Sequence, residues 1–283
     1  MRPPVSPATV VAAVAGSPVR HSLSPLMHNT WIAAAGLDAV YVAFELQSER
    51  FEAFVEGLRG GMVAGLNITI PFKERALALA DRADPLALAS GAANLLLFHP
   101  DGTIEGRNTD GAGLIGAFQS QAPQLNLASG PVAIFGAGGA ARGAAAALMA
   151  EGCPEVRVIN RTLDRALALA EDMGSNLKAF QEDQADKAID GAVALINATS
   201  LGLGGGPGPA MDWSKASPGA VAMDMVYRPL RTEFLKQAAV NGHATVDGLQ
   251  MLIGQAVPSF EALFGHPPPQ TDVRTLLLAE LEP

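Results

Sequence analysis

One cysteine, Cys153, stands in 283 residues. That scarcity excludes an internal disulfide and any cysteine-built metal centre, as is usual in a reducing compartment. The five histidines (His21, His28, His99, His243 and His266) include no H-x-x-x-H pair, so no metal is expected. Positive charge is short as well, with 19 Lys and Arg against 28 Asp and Glu and a net charge of −9. A polyanion would be repelled overall, nucleic acid is not an expected partner, and any anionic ligand needs a local basic site. No apolar run suits a membrane span, since the long uncharged stretch after Asp110 is full of Gln, Asn, Ser, Gly and Pro. Arg2 followed by the apolar segment 10–16 has the outline of a signal peptide, but prolines at 3, 4 and 7 interrupt it and its length is that of one buried strand. A cytoplasmic protein is expected. The three N-x-[ST] matches at Asn67, Asn160 and Asn197 then serve some purpose other than glycosylation.

What is present is the composition of a folded chain: 49% hydrophobic and 17% charged residues, in a length that suits two domains at roughly 150 residues each. Short β-branched runs alternate with Ala/Leu-rich segments, which is the pattern of βα units feeding a mostly parallel sheet. The pattern predicts strands over 10–15, 40–45, 65–68, 95–99, 132–135, 156–159, 193–197, 221–226 and 244–246. Helices are predicted over 25–35, 49–60, 140–151, 163–173, 232–241 and 249–264. The polar, turn-rich stretch 119–131 reads as a domain boundary, and the Gly/Pro cluster 202–209 as a mobile loop.

The strand 132–135 runs straight into Gly136-Ala137-Gly138-Gly139-Ala140-Ala141-Arg142 and then an alanine-rich helix. This fits G-x-G-x-x-[GA] in its proper strand–turn–helix setting: Gly136 for the tight turn, Gly138 for backbone approach to a pyrophosphate, Ala141 for close helix packing. At the end of the next strand, where an NAD enzyme carries Asp or Glu, the chain has Asn160-Arg161-Thr162 with Arg165 one turn on. Two guanidiniums suit a 2′-phosphate, which makes NADP the expected cofactor. Two cations at a helix start also oppose the macrodipole.

Elsewhere the polar residues are individually bland. Ser24 reads as an N-cap with Pro25 at the first helical position, an assignment that leaves Ser22 unexplained. Lys73, in Asn67-Ile68-Thr69-Ile70-Pro71-Phe72-Lys73-Glu74, could be a solvated cation. Asp110, in Asn108-Thr109-Asp110-Gly111, could be a helix N-cap or a held carboxylate. Their coincidence at strand-to-helix turns is the argument, because such turns gather where α/β sheets bind ligands.

Taken in order, these motifs closely resemble the shikimate dehydrogenase family. The resemblance covers essentially the whole chain through 16–29, 67–74, 108–111, 136–142, 160–162, 197–200, Asp224-Met225-Val226-Tyr227-Arg228-Pro229 and 248–255. It implies an α/β fold with an N-terminal substrate domain (1–110 with 248–283) and an inserted, doubly wound Rossmann NADP domain (111–247), the active site lying in the cleft between them. Catalysis would fall to Lys73 and Asp110, and substrate binding to Ser22, Ser24, Thr69, Asn94, Tyr227 and Gln255. Cofactor contacts would be Gly136, Ala137, Gly138, Gly139, Ala140, Asn160, Arg161, Thr162, Arg165, Thr199, Met225 and Gly248. The implied activity is NADPH-linked reduction of 3-dehydroshikimate to shikimate by a cytoplasmic monomer or homodimer. Leu95 and Leu203 depart from the family's more usual Thr and Met.

Overall fold

The structure, a computed structural model, describes residues 5–61 and 63–281. Arg2, Pro3 and Pro4, weighed above, lie outside them. The chain divides into two compact units, Met1–Thr109 with Gln255–Pro283, and Asp110–Gly254.

In the first unit the order is β1 (Val10–Gly16), α1 (Ser24–Ala35), β2 (Ala39–Glu45), α2 (Phe51–Glu56), β3 (Val63–Ile68), α3 (Lys73–Leu79), β4 (Arg82–Ala83), α4 (Pro85–Ser90), β5 (Leu95–Phe98) and β6 (Ile104–Arg107). Its sheet runs β2-β1-β3-β5-β6-β4. β1 pairs parallel with β2 and β3, but β5 pairs antiparallel with both β3 and β6. With β4 parallel to β6, three of the five pairings are parallel, so this sheet is mixed but still parallel-rich. The β5–β6 pair has a local cause: His99-Pro100-Asp101-Gly102-Thr103 closes a hairpin, with Gly102 at φ 86° and His99 N donating to the Thr103 carbonyl at 2.9 Å. A hairpin can only join antiparallel strands. β1 is buried along most of its length. Phe51, Phe72, Leu66, Leu96 and Ile104 fill a core on one side of the sheet.

The second unit adds α5 (Asp110–Gln121), β7 (Val132–Phe135), α6 (Gly139–Ala150), β8 (Val156–Asn160), α7 (Leu163–Met173), β9 (Leu177–Gln181), α8 (Ala185–Ile189), β10 (Ala194–Asn197), β11 (Val221–Asp224), α9 (Glu233–Val240) and β12 (Ala244–Val246). The last two helices are α10 (Gly248–Phe264) and α11 (Val273–Leu281), and the chain re-enters the first unit within α10. Every pairing in the order β12-β11-β10-β7-β8-β9 is parallel. Read from β9 this is the 3-2-1-4-5-6 order of a doubly wound dinucleotide fold, with its reversal point between β7 and β10. Leu114, Phe118, Ile134, Leu148, Val158 and Ile196 build its main core.

Three expectations need correction. The stretch 119–131 is inside the second unit, not at its border, because Leu125 and Leu127 pack on that core. Ser24 does not cap α1: Leu23 holds the N-cap position without a side-chain bond and Ser24 is already helical. Asp110 is likewise the first residue of α5. Within 202–209, residues Leu203–Gly205 form a 3-10 turn. Among the described residues no helix is long and apolar enough to cross a membrane.

Candidate active site

The second unit carries the nucleotide end. Gly136 follows β7 with φ 109°, and a Cβ there would lie 3.1 Å from the Ala198 carbonyl oxygen after β10. Only glycine fits a positive φ so close to another backbone. Gly138 caps α6 and Gly139 opens it, and an added Cβ at either would point into open space. That space lies before the N–H groups of a 12-residue helix, where a diphosphate is favoured by unpaired donors and by the helix dipole.

Beside this turn is a pocket of about 270 Å³ lined by the ends of three neighbouring strands: Gly136 after β7, Asn160 to Thr162 with Arg165 after β8, and Thr199 to Leu201 after β10. Arg161 and Arg165 are exposed, and Thr162 sits at the N-cap of α7 without a side-chain bond. Asn160 Nδ2 donates to the Thr162 carbonyl at 2.7 Å, which shapes the turn that presents Arg161. No acidic residue ends β8, although Glu182 also lines the pocket. Glu182 was missed because it follows β9, an exposed edge strand without an apolar run.

Asn197 ties the next two strand ends together. Its Nδ2 donates to Asp224 Oδ1 at 3.0 Å and to the Leu201 carbonyl at 2.9 Å, while its Oδ1 accepts the Thr199 hydroxyl at 2.6 Å. Asp224 also accepts from Val226 N and the Thr232 hydroxyl. Burial pushes the Asp224 carboxyl upward and these three donors partly counter it. Thr199 and Met225, both expected at the cofactor, are therefore held by one buried polar knot. Gly248 opens α10, and a Cβ there would come within 2.6 Å of the Met225 carbonyl oxygen. Tyr227 follows in the same turn, half-buried, and burial raises its phenol so that it remains a donor.

The first unit carries most of the expected substrate residues. Ser22 Oγ accepts the Ser24 backbone N–H at 3.3 Å, which places the Ser22 hydroxyl against the backbone at the entry to α1. Thr69 follows β3, and Lys73 opens α3, where an ammonium in the first turn gains nothing from the helix dipole. Asn94, just before β5, is buried and bonded to Thr109, 2.9 Å from Nδ2 to Oγ1. Gln255 of α10 approaches the same hydroxyl, with Oε1 3.3 Å from Oγ1. The structure thus brings Ser22 to Ser24 and Asn94 to Gln255, whereas Asp110 and Tyr227 belong to the second unit. The three sequon asparagines each serve as a tie at the carboxyl end of a strand, Asn67 through Tyr41, Ser259 and the Asn94 carbonyl.

Among the described residues no group of three or more His, Cys, Asp or Glu side chains could hold a metal ion. His28 is fully buried against Tyr41, their ring centroids 4.1 Å apart and nearly parallel. Among the described residues neither of its ring nitrogens has a hydrogen-bond partner, and burial lowers its pKa to about 3.

Comparison with known proteins converges on one family. The shikimate dehydrogenase substrate-binding domain matches residues 14–96, shikimate / quinate 5-dehydrogenase matches 118–202, and the shikimate 5′-dehydrogenase C-terminal domain matches 248–278. The chain is 55% identical over 275 residues to shikimate dehydrogenase (NADP(+)) of Caulobacter vibrioides, covering 97% of this chain and 96% of the relative. The crystal structure of Thermus thermophilus shikimate 5-dehydrogenase in complex with NADP(H) and shikimate matches at TM-score 0.82 and 37% identity, over 92% of this chain and 95% of the other. Quinate dehydrogenase of Corynebacterium glutamicum in complex with NAD matches at TM-score 0.87 and 29% identity, over 96% and 99%. The α/β architecture, the doubly wound second unit and near full-length identity agree, and the chain belongs to the shikimate dehydrogenase family of oxidoreductases.

Proposed function

We propose that the protein reduces 3-dehydroshikimate to shikimate with NADPH, reversibly, as a step toward aromatic amino acids. The observation that carries this reading is the near full-length match to the C. vibrioides NADP(+) enzyme. A quinate-oxidising, NAD-linked role is the rival, favoured by the likeness to the C. glutamicum enzyme. Against it stand Arg161 and Arg165, exposed in the pocket beside the glycine turn. They suit a 2′-phosphate, where an NAD enzyme would carry a carboxylate. A cytoplasmic setting fits the single, buried Cys153.

NADP(H), when bound, supplies or takes up the hydride. Gly136 to Ala140 would hold its diphosphate and Arg161 and Arg165 its 2′-phosphate, and Thr199, Met225 and Gly248 would supply further contacts to it. Lys73 is the proton donor: as the substrate carbonyl becomes an alkoxide, a positioned ammonium stabilises the developing charge and delivers the proton to that oxygen. Asp110 is its acid–base counterpart and accepts from a substrate hydroxyl. Ser22, Ser24 and Tyr227 donate to the substrate carboxylate, and Thr69, Asn94 and Gln255 bond the ring hydroxyls. Such convergent donors hold the reacting carbon in one orientation.

Steady-state assays of shikimate and quinate, each with NADP and NAD, test the reading. Turnover is expected to be highest for shikimate with NADP. Preference for quinate with NAD would overturn it.

A further inference from the structure

Thr109, Ser259 and Asn67 are buried polar residues beside the amides proposed to hold the substrate, and the mechanism above gives them no part. Their hydrogen bonds run in a single sense. Asn67 Nδ2 donates to the Asn94 carbonyl oxygen at 3.3 Å, an atom that only accepts. That sets the amide's orientation, so its Oδ1 accepts the Tyr41 hydroxyl proton at 2.8 Å. The second N–H of Asn67 reaches Ser259 Oγ at 3.0 Å. Ser259 gives its one proton to the Gln255 carbonyl, 3.0 Å away and one helical turn back. Its Oγ is thereby left to accept from the Thr109 hydroxyl at 3.1 Å, a hydroxyl that also lies 3.2 Å from Asn94 Oδ1 and 3.3 Å from Gln255 Oε1.

Thr109 is the junction. Its backbone N–H donates to Asn94 Oδ1 at 2.8 Å, and its Oγ1 accepts from Asn94 Nδ2 at 2.9 Å. Both ends of one amide are thus specified by one residue, and Gln255 Oε1 lies 3.3 Å from the same hydroxyl. A flipped amide exchanges donor for acceptor, and a ring bearing several hydroxyls distinguishes the two.

We propose that Thr109 is a positioning residue for substrate: it sets the orientation of the Asn94 amide, with Ser259 and Asn67 fixing the sense of the hydrogen bonds. The proposal rests on the reading of Asn94 and Gln255 as substrate contacts.

The test compares Thr109→Val, which keeps the shape and removes the hydroxyl, with Thr109→Ser, which restores it. Shikimate and NADP are titrated into each protein by calorimetry, and KM and kcat are measured. Thr109→Val should raise the shikimate Kd and KM on the order of tenfold, the effect of one buried hydrogen bond, while changing the NADP Kd less than about twofold. Thr109→Ser should return shikimate affinity to within about threefold of wild type. Unchanged shikimate affinity in Thr109→Val overturns the proposal. So does equal weakening in Thr109→Val and Thr109→Ser, or a parallel loss of both ligands with a lower Tm, which is a purely structural role. Should Thr109→Val not fold, Ser259→Ala decides, with a smaller shikimate-specific loss expected and its absence overturning the proposal. A wild type without shikimate-dependent NADP reduction would instead overturn the functional reading itself, and this inference with it.

Discussion

The two units build their binding surfaces from different materials. In the first, expected ligand residues are side chains, and one of them, Asn94, is tied into a buried polar interior: Asn94 to Thr109, Thr109 to Ser259, Asn67 to Tyr41. In the second, the surface is largely backbone at a glycine turn and a helix end, with two exposed arginines added at the rim. The contrast follows from the ligands proposed for them. A small polyol offers little area and many hydroxyls, so its orientation depends on donors and acceptors held in place beforehand. A dinucleotide carries phosphates that backbone N–H groups and a helix dipole satisfy without any particular side chain.

The comparison breaks most visibly at Lys73. Loss of a general acid typically costs roughly 100-fold to 10,000-fold in rate. Lys73→Met should therefore lower turnover at least about 100-fold, with the shikimate dissociation constant changing far less, as befits an interaction made in the transition state. Turnover and affinity are measured together after circular dichroism has shown the variant folded. A fall of less than about tenfold removes Lys73 from the chemistry.

At the rim of the second unit, Arg161→Ala should weaken NADP by roughly ten- to a hundredfold and leave NAD nearly unchanged, because only NADP carries the 2′-phosphate. Fluorescence titration with both nucleotides checks this. An equal change in the two would show that Arg161 does not touch that phosphate.

His28 sharpens the comparison through stability. Its folded pKa is about 3 against an ordinary 6.5. Between those values the unfolded chain binds a proton that the folded chain refuses, so this contribution is fully present above pH 6.5 and is lost as the pH falls, by about 1.4 kcal/mol per unit. At pH 5 the loss from this one group should be about 2 kcal/mol. His28→Phe should remove it and retain the stack on Tyr41. Urea unfolding at pH 7 and pH 5 measures the difference, and an unaltered gap in the variant would rule His28 out as its source.

The smallest effect on stability is expected at Gly138, where an added Cβ points into open space. Gly138→Ala should change folding stability by less than about 0.5 kcal/mol, as at a surface site, and still weaken NADP measurably. Unaltered NADP affinity, read by the same titration, would mean that the open space is not the diphosphate cradle.

Legibility differed between the halves for the same physical reasons. The β7–turn–α6 unit was legible because every requirement is local: an apolar strand, a glycine with positive φ, an alanine-rich helix. The edge strands β4 and β9 and the polar β6 escaped notice because they lack apolar runs. The antiparallel part of the first sheet was hidden because no strand was expected over 104–107, although Pro100-Asp101-Gly102 carries a turn signal. Ser24 looked like a cap, but where a helix begins depends on the backbone around it, and here that is Leu23.

Sequence by itself determined the alternation of strands and helices, the glycine turn, the arginines in place of an acidic residue, and the motifs of the family, since each is written in residues near one another along the chain. Only the tertiary structure decided that Asn67, Asn94, Thr109, Gln255 and Ser259 share one hydrogen-bonded interior. Their separations reach 192 residues, from Asn67 to Ser259. The direction of a buried hydrogen bond is set by what lies across the fold, and no local pattern encodes that.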